Sequence, residues 1–150
     1  MFQPQAMLLL LILAVLGTPA ISTGTYYGTT TGTHFCTSIP EGKNITGIRM
    51  YVRNINIIGI QLRLGEEWGQ LYGYSDGRLV EMIFVGDEKV MSIFGTYNGY
   101  MQQIVITTTT PRDMYYGNAR GKNEFSDNSP NPSFEFLGFC GYYVRSGIRA

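Results

Sequence analysis

Apolar and polar side chains alternate most clearly in two runs near the middle of the chain. In Ile45–Arg53 (ITGIRMYVR), the side chains of Ile48, Met50 and Val52 fall on one side, and Ile58–Leu64 (IGIQLRL) shows the same alternation. Because successive side chains of a β-strand point to opposite faces, each run predicts a strand with one buried face and one solvated face.

These two runs are also copies of one another. A shift of twelve residues superimposes Ile45, Gly47, Ile48, Met50 and Val52 on Ile57, Gly59, Ile60, Leu62 and Leu64. The copies predict an antiparallel pair of strands joined by a short turn around Asn54 to Asn56. Such a pair is a building unit of a larger sheet.

Similar short runs continue along the chain, separated by turn residues. Further strands are predicted at Glu67–Tyr74, Leu79–Val85, Val90–Tyr97, Met101–Thr108, Arg112–Gly117, Ser133–Phe139 and Tyr142–Ala150. Asn98-Gly99 between two apolar runs is the strongest hairpin signal. About ten short strands, with no long amphipathic helix, predict an all-β sandwich, barrel or prism, and periodicity does not choose among the three.

The first twenty residues have the character of a secretory leader. An apolar run from Met7 to Leu16 is followed by Gly17 and Pro19, with a small residue, Ala20, at the expected cleavage point. Ten apolar residues are about half of what a membrane-spanning helix needs, and no basic cluster follows. We therefore expect a signal peptide over residues 1–20, a single domain over 21–150, and a secreted, extracellular protein without a membrane span.

Charge adds few constraints. The chain has 11 Lys plus Arg and 11 Asp plus Glu, so its formal net charge is zero. The basic residues are spread singly along the chain, which does not resemble the stripe of a nucleic-acid-binding protein. Binding of a polyanion would need clustering that the linear sequence does not show.

Two cysteines, Cys36 and Cys140, lie near the two ends of the predicted domain. An isolated pair in an oxidising compartment predicts one disulfide, which would tie the first strand to the last ones. Closing a loop of about a hundred residues contributes on the order of 4 kcal/mol in the chain-entropy account. Asn44 begins an Asn-Ile-Thr sequon and is a predicted glycosylation site.

Residues for catalysis or metal binding are sparse. His34 is the single histidine, and neither a GxSxG nor an HExxH motif is present. Glu66 and Glu67 are adjacent, so in a strand they point to opposite faces and do not share acid–base chemistry. The sequence argues against an enzyme, a resident metal or another cofactor.

Two segments are candidates for ligand binding. Tyr27–Thr33 (YGTTTGT) lacks the Lys of a phosphate-binding loop, and is either a close-approach surface for sugar hydroxyls or a flexible loop. In the second segment, Gly141–Arg145, Tyr142 and Tyr143 either stack on a sugar ring or pack as ordinary strand residues. Composition leaves both alternatives open.

Taken in order, these segments resemble the jacalin-related lectins, and in particular their zymogen-granule branch with its fish relatives. The resemblance runs from Gly28 to Ala150 and rests on the glycine-rich opening, ITGIRMYV, IIGIQLRLGEEWG, SIFGTYNGYMQQIVITT and FEFLGFCGYYVRSGI. It implies a β-prism of three four-stranded antiparallel sheets with pseudo-threefold symmetry. The family domain runs several residues further, which implies a short last strand here.

The resemblance also implies where a ligand would bind. In the family, sugar lies at one end of the prism, between the glycine-rich loop and a late GxxxD loop. Gly28 and Gly32 match the first loop, and Gly141 begins the second. Tyr142 and Tyr143 fall where the family varies, and Tyr97 to Tyr100 would form a neighbouring recognition loop.

This chain departs from the family at the last position of GxxxD. Arg145 stands where the family has Asp, and an alternative register puts Arg149 there. A carboxylate accepts hydrogen bonds from two hydroxyls, whereas a guanidinium only donates. The replacement is expected to weaken binding of neutral hexoses or to shift preference towards sulfated or sialylated glycans.

The resemblance therefore implies a secreted, non-catalytic, calcium-independent lectin whose partners are glycans or glycoproteins, anionic ones included. A homo-oligomer is compatible with this prediction. The alternative is a protein of the same fold that has lost sugar recognition and acts in protein interaction or in packaging of a secretory matrix. Gain of hexose binding by Arg145→Asp would distinguish the two.

Overall fold

The alternating runs form antiparallel strands in the computed structural model, which describes residues 24–118, 120–128 and 135–150. Eleven strands lie in this part of the chain: β1 Thr33–Cys36, β2 Ile45–Arg53, β3 Asn56–Leu64, β4 Glu67–Gly73, β5 Arg78–Ile83, β6 Val90–Tyr97, β7 Met101–Thr108, β8 Asp113–Tyr116, β9 Asn123–Asn128, β10 Cys140–Val144 and β11 Gly147–Ile148. The predicted leader, residues 1–20, lies outside the described residues.

The two copied runs pair with each other as predicted. Strands β2 and β3 are antiparallel, with Met50 opposite Ile60 and Ile48 opposite Leu62. These four side chains are buried, so the apolar side of each run faces the core. The turn between the strands includes Asn54, which adopts a left-handed φ of 55° that asparagine tolerates better than most residues.

The strands form three antiparallel sheets. Two have four strands each, in the orders β4-β3-β2-β5 and β8-β7-β6-β9. Both orders place the third, second, first and fourth strand of a consecutive set side by side, which is the internal repetition expected of a prism with pseudo-threefold symmetry. The sheet β1-β10-β11 has three strands in the described residues, and its last strand is short.

The core lies between the three sheets. Tyr116 on β8 is fully buried, and its hydroxyl donates a 2.7 Å hydrogen bond to the carbonyl oxygen of Ile48 on β2. Burial raises the pKa of the Tyr116 phenol, because the phenolate would lose its hydration. This contact joins the sheet β4-β3-β2-β5 to the sheet β8-β7-β6-β9 through a satisfied polar group.

The structure corrects the strand prediction near the C-terminus. A strand was expected over Ser133–Phe139, but the described part, residues 135–139, is irregular, with the Phe136 and Phe139 rings packed edge to face at 5.0 Å. Conversely, Asn123–Asn128 (NEFSDN) forms β9 although most of its side chains are exposed. Because both faces of β9 are exposed, apolar and polar side chains do not alternate along it, and the sequence therefore did not reveal this strand.

The predicted disulfide is present. Cys36 and Cys140 are directly opposite one another on β1 and β10, with Cα atoms 4.0 Å apart. The bridge therefore ties the first described strand to the late strands, as expected. Within the described residues, no helix is long and apolar enough to cross a membrane.

Candidate functional site

One end of the prism collects the loops that the sequence marked for binding. Alternating strand directions bring residues 28–32, 54–55, 74–77, 98–100, 117–118, 120–122 and 145–146 to the same end. Contacts join these loops: the Asn56 amide donates to the Ser146 carbonyl at 3.2 Å, and the Tyr100 ring packs beside Gly147. We call this the glycine-rich end, and the other the opposite end.

The glycine-rich loop is packed closely against the late strands. Gly28 and Gly32 have φ values of 112° and 113°, which residues with a Cβ rarely adopt. A Cβ on Gly28 would lie 2.2 Å from the Arg149 carbonyl oxygen, and one on Gly32 would lie 2.6 Å from the Tyr143 carbonyl oxygen. The backbone N–H of Thr29 donates a 3.0 Å hydrogen bond to the carbonyl oxygen of Arg149, so this donor is used within the protein.

The two tyrosines of the late segment point to opposite faces of β10. Tyr142 packs on Tyr26 and His34, with ring centroids 5.5 and 5.0 Å away. Tyr143 instead packs beside Phe35 and Tyr74, each about 6.0 Å away. Strand alternation therefore separates the pair, and a ligand at the glycine-rich end could contact only one of them directly.

Arg145 is held by a carboxylate from another loop. Its guanidinium donates to both carboxylate oxygens of Asp76, at 3.2 and 2.6 Å, and lies 4.4 Å above the Tyr74 ring. Arg53 donates to the same carboxylate at 2.8 Å and to the Arg145 carbonyl oxygen at 2.5 Å. The hydrogen bond from Arg145, helped by the charge of Arg53, lowers the pKa of Asp76 to about 2.

Arg149, Tyr100 and Tyr97, the remaining predicted site residues, have different surroundings. Arg149 lies over the Tyr100 ring, 5.8 Å from its centroid, and its buried Nε has no hydrogen-bond partner among the described residues. Tyr97 packs against the core and lies near Phe125, with centroids 6.4 Å apart. Tyr100 thus lies beside a cation at this end, whereas Tyr97 packs against the core and a neighbouring strand of its own sheet.

Two functional candidates escaped the sequence analysis. Asp76 lies between the predicted strands Glu67–Tyr74 and Leu79–Val85, and Arg53 ends the predicted strand Ile45–Arg53, so the sequence marks neither as a binding residue. Their convergence on Arg145 joins residues 69 and 92 positions apart, and no local pattern encodes such a separation. Knowledge of which loops share an end would have found them.

The remaining candidates from the sequence are Asn44 and His34. Asn44 is exposed before β2 at the opposite end, where a glycan could be attached; its use stays a prediction. His34 Nε2 is 2.9 Å from the Tyr26 hydroxyl. No group of three metal-ligating side chains occurs among residues 24–118, 120–128 and 135–150.

Charge is strongly polarised along the prism. All 22 charged side chains fall within the described ranges, because residues 1–23, 119 and 129–134 include none. The glycine-rich end carries six cations and two acids: Arg53, Arg78, Arg120, Lys122, Arg145 and Arg149 against Asp76 and Glu124. The opposite end carries four cations and eight acids: Lys43, Arg63, Lys89 and Arg112 against Glu41, Glu66, Glu67, Asp87, Glu88, Asp113, Asp127 and Glu135.

Comparison by sequence finds relatives among curated proteins. The chain is 33% identical over 116 residues to the prostatic spermine-binding protein of Rattus norvegicus, covering 77% of this chain and 42% of that protein. It is 34% identical over 77 residues to zymogen granule membrane protein 16 of Rattus norvegicus, covering 51% of this chain and 46% of that protein. The matches thus span less than half of these relatives. No family model matches the chain.

Comparison by structure identifies the fold. A prostate-specific WGA16 glycoprotein lectin superimposes with a TM-score of 0.73 at 30% identity, over 84% of this chain and 91% of that one. Malaysian banana lectin superimposes with a TM-score of 0.67 at 22% identity, over 82% and 89% of the two chains, and shares the fold. With its three antiparallel sheets, this chain therefore belongs to the jacalin-related lectins, on the branch of zymogen granule membrane protein 16.

Proposed function

We propose that this protein is a secreted, non-catalytic lectin that binds anionic glycans, sulfated or sialylated, at the glycine-rich end. The observation that carries the proposal is the excess of four positive charges at that end of a formally neutral chain. A cluster of one sign focuses the field and attracts ligands of the opposite sign. The solved relative at 30% identity is itself named a lectin, which supports a carbohydrate ligand.

The contacts at this end favour anionic over neutral sugars. A neutral hexose needs an acceptor for its hydroxyls, and the late loop has Arg145 where the family has Asp. Guanidinium groups donate in a planar fork that fits carboxylate and sulfate oxygens. Arg149, a partly exposed guanidinium over the Tyr100 ring, adds further donors, so the end offers more donors than acceptors.

The proposal is tested with the folded, disulfide-bonded protein on an array that contains sulfated, sialylated and neutral glycans. We expect binding to the first two classes, with affinity that falls as salt is raised from about 0.05 to 0.5 M, because exposed charges are screened. Binding to neutral hexoses alone, or to no glycan at all, would refute it. In the second case, the alternative of a protein-interaction or packaging role would be favoured.

A second candidate follows from the opposite end. The rat relative is named for spermine, a polycation, and the opposite end of this chain carries a net charge of four negative units. Glu66 lies in the turn after β3 there, Glu67 begins β4, and Asp87 is exposed before β6. Titration with spermine, with the wild type compared against Glu66→Gln/Glu67→Gln, tests this candidate separately, since neither residue contacts the glycine-rich end.

A further inference from the structure

The carboxylate of Asp76 occupies the point where two guanidinium groups converge. Arg53 comes from the end of β2, Arg145 from the turn after β10, and Asp76 from the loop between β4 and β5. The Asp76 side chain is 54% exposed, so solvent reaches this point directly. Three hydrogen bonds reach the carboxylate, two to Oδ2 and one to Oδ1.

Both guanidinium groups have anchors that do not depend on Asp76. Arg145 lies on the Tyr74 ring, and Arg53 donates to the carbonyl oxygen of Arg145. Cation–π stacking and a charged hydrogen bond each restrict the orientation of an arginine side chain. The guanidinium groups of Arg53 and Arg145 would therefore stay close together when the Asp76 carboxylate is removed.

The loop that carries Asp76 is fixed at both sides. Tyr74 N–H donates to the Ile58 carbonyl oxygen at 2.8 Å, and a Cβ on Gly77 would lie 2.7 Å from the Val52 carbonyl oxygen. The backbone is thus packed against β2 and β3, whereas the Asp76 side chain is exposed. Release of the carboxylate requires rotation of this side chain and no movement of the loop.

We propose that Asp76 is an internal competitor that determines ligand specificity: its carboxylate occupies the position that the anionic group of a bound glycan takes between Arg53 and Arg145. The proposal rests on the proposed function, since it assumes an anionic ligand at this end. A ligand with one anionic group displaces a carboxylate held by three hydrogen bonds only weakly. A ligand with several anionic groups, such as a sulfated glycan, displaces it more readily.

Glu124 offers a matched control for the loss of one negative charge. It lies on β9 at the same end, is exposed, and forms no ion pair within the described part of the chain. Asp76→Asn and Glu124→Gln therefore change the net charge of this end equally. Only the first removes the carboxylate between the two arginines.

The experiment measures binding of a heparin-derived tetrasaccharide and of inorganic sulfate by the wild type and both variants, at constant salt. Asp76→Asn is expected to bind both ligands about three- to tenfold more tightly than wild type. Glu124→Gln is expected to change affinity less than about twofold. A second readout is the exchange rate of the Arg53 and Arg145 side-chain N–H groups, which sulfate should slow in Asp76→Asn.

The outcomes separate this proposal from the proposed function. Weaker binding by Asp76→Asn, or a gain no larger than that of Glu124→Gln, overturns the role of Asp76. If Asp76→Asn gains sulfate binding while no variant binds any glycan, Asp76 is a competitor for anions as proposed, and the proposed lectin function fails.

Discussion

At the scale of single residues, Arg145 has to be considered together with Asp76. The late loop lacks the Asp that the family resemblance implies, yet Asp76 brings a carboxylate to within 2.6 Å of the Arg145 guanidinium. Substitution of Arg145 alone by Asp would place two carboxylates together beside Arg53. A gain-of-function test must therefore change both residues.

We expect the double variant Asp76→Asn/Arg145→Asp to bind mannose or galactose more tightly than wild type, because a single carboxylate then stands in the late loop as an acceptor. Anionic glycans should bind it more weakly. Titration calorimetry with the methyl glycosides measures the first effect, and Asp76→Asn alone is the control. No gain of hexose binding would show that the end lacks a neutral-sugar pocket.

Glu88 is a second charged residue whose partners were not predicted. Its carboxylate is buried and accepts hydrogen bonds from Arg112, Thr108, Thr110 and the Val85 N–H. The Arg112 guanidinium, followed by the hydroxyl donors, holds the pKa of this carboxyl well below its usual 4.5 despite the opposing effect of burial. The loop before β6 is thereby tied to the segment between β7 and β8.

This lowered pKa makes stability depend on acid pH. The stabilisation from Glu88 is fully present above its unfolded pKa of 4.5 and is lost as pH falls from there towards the folded pKa. We expect Glu88→Gln to lower the free energy of unfolding at pH 7 by about 2 kcal/mol and to flatten its decline below pH 4.5. Urea unfolding between pH 2 and 7 measures both effects, with Glu135→Gln, at an exposed residue, as control. If the free energy of unfolding of Glu88→Gln declined below pH 4.5 as steeply as that of wild type, Glu88 would not be the source of the pH dependence.

At the scale of elements, hydrophobic period and turn chemistry explain most strands. The apolar face of β2 and β3 is buried, and Asn98-Gly99 lies in the turn between β6 and β7, where Gly99 has a φ of 72°. The failures are β9, which has no buried face, residues 135–139, whose aromatic rings pair within a loop, and Tyr142–Ala150. The last was predicted as one strand and instead forms the end of β10, a turn and β11. Periodicity reports burial on one face, so it misses polar strands and mistakes aromatic loops for strands.

The disulfide acts at the same scale, since it joins β1 to β10 across 104 residues. We expect the double variant Cys36→Ser/Cys140→Ser to lose about 2–4 kcal/mol of unfolding free energy, chiefly because the unfolded chain regains entropy. Urea unfolding measures the loss, and the reduced wild type should match the variant. Equal stability of oxidised wild type and variant would show that the bridge contributes nothing.

At the scale of the whole molecule, the neutral sequence conceals a separation of charge. Strand directions send six cations to one end of the prism and eight acids to the other. The separation predicts that the affinity for an anionic glycan depends on which end of the prism carries a charge substitution, and not only on the net charge of the protein. Two exposed lysines at opposite ends, Lys122 and Lys43, allow this to be measured.

We expect Lys122→Glu to weaken binding of a sulfated glycan several-fold at about 0.05 M salt, because it reduces the positive field of the glycine-rich end. Lys43→Glu, with the same net charge, should have little effect. The difference between the variants should shrink as salt is raised towards 0.5 M. Equal weakening by both would mean that net charge alone governs binding.

The sequence by itself determined the class of fold, most strand positions, the disulfide partners and the loops that match a lectin. The fold class, the strand positions and the disulfide depend on local alternation, on turn residues and on a cysteine pair that had no other partner, whereas the loops were assigned by resemblance to a lectin family. Only the tertiary structure decided that Tyr142 and Tyr143 face apart, that Asp76 and Arg53 meet Arg145, and that charge divides between two ends. Those properties depend on which loops share an end of the prism, and strand direction sets this over separations that no local pattern records.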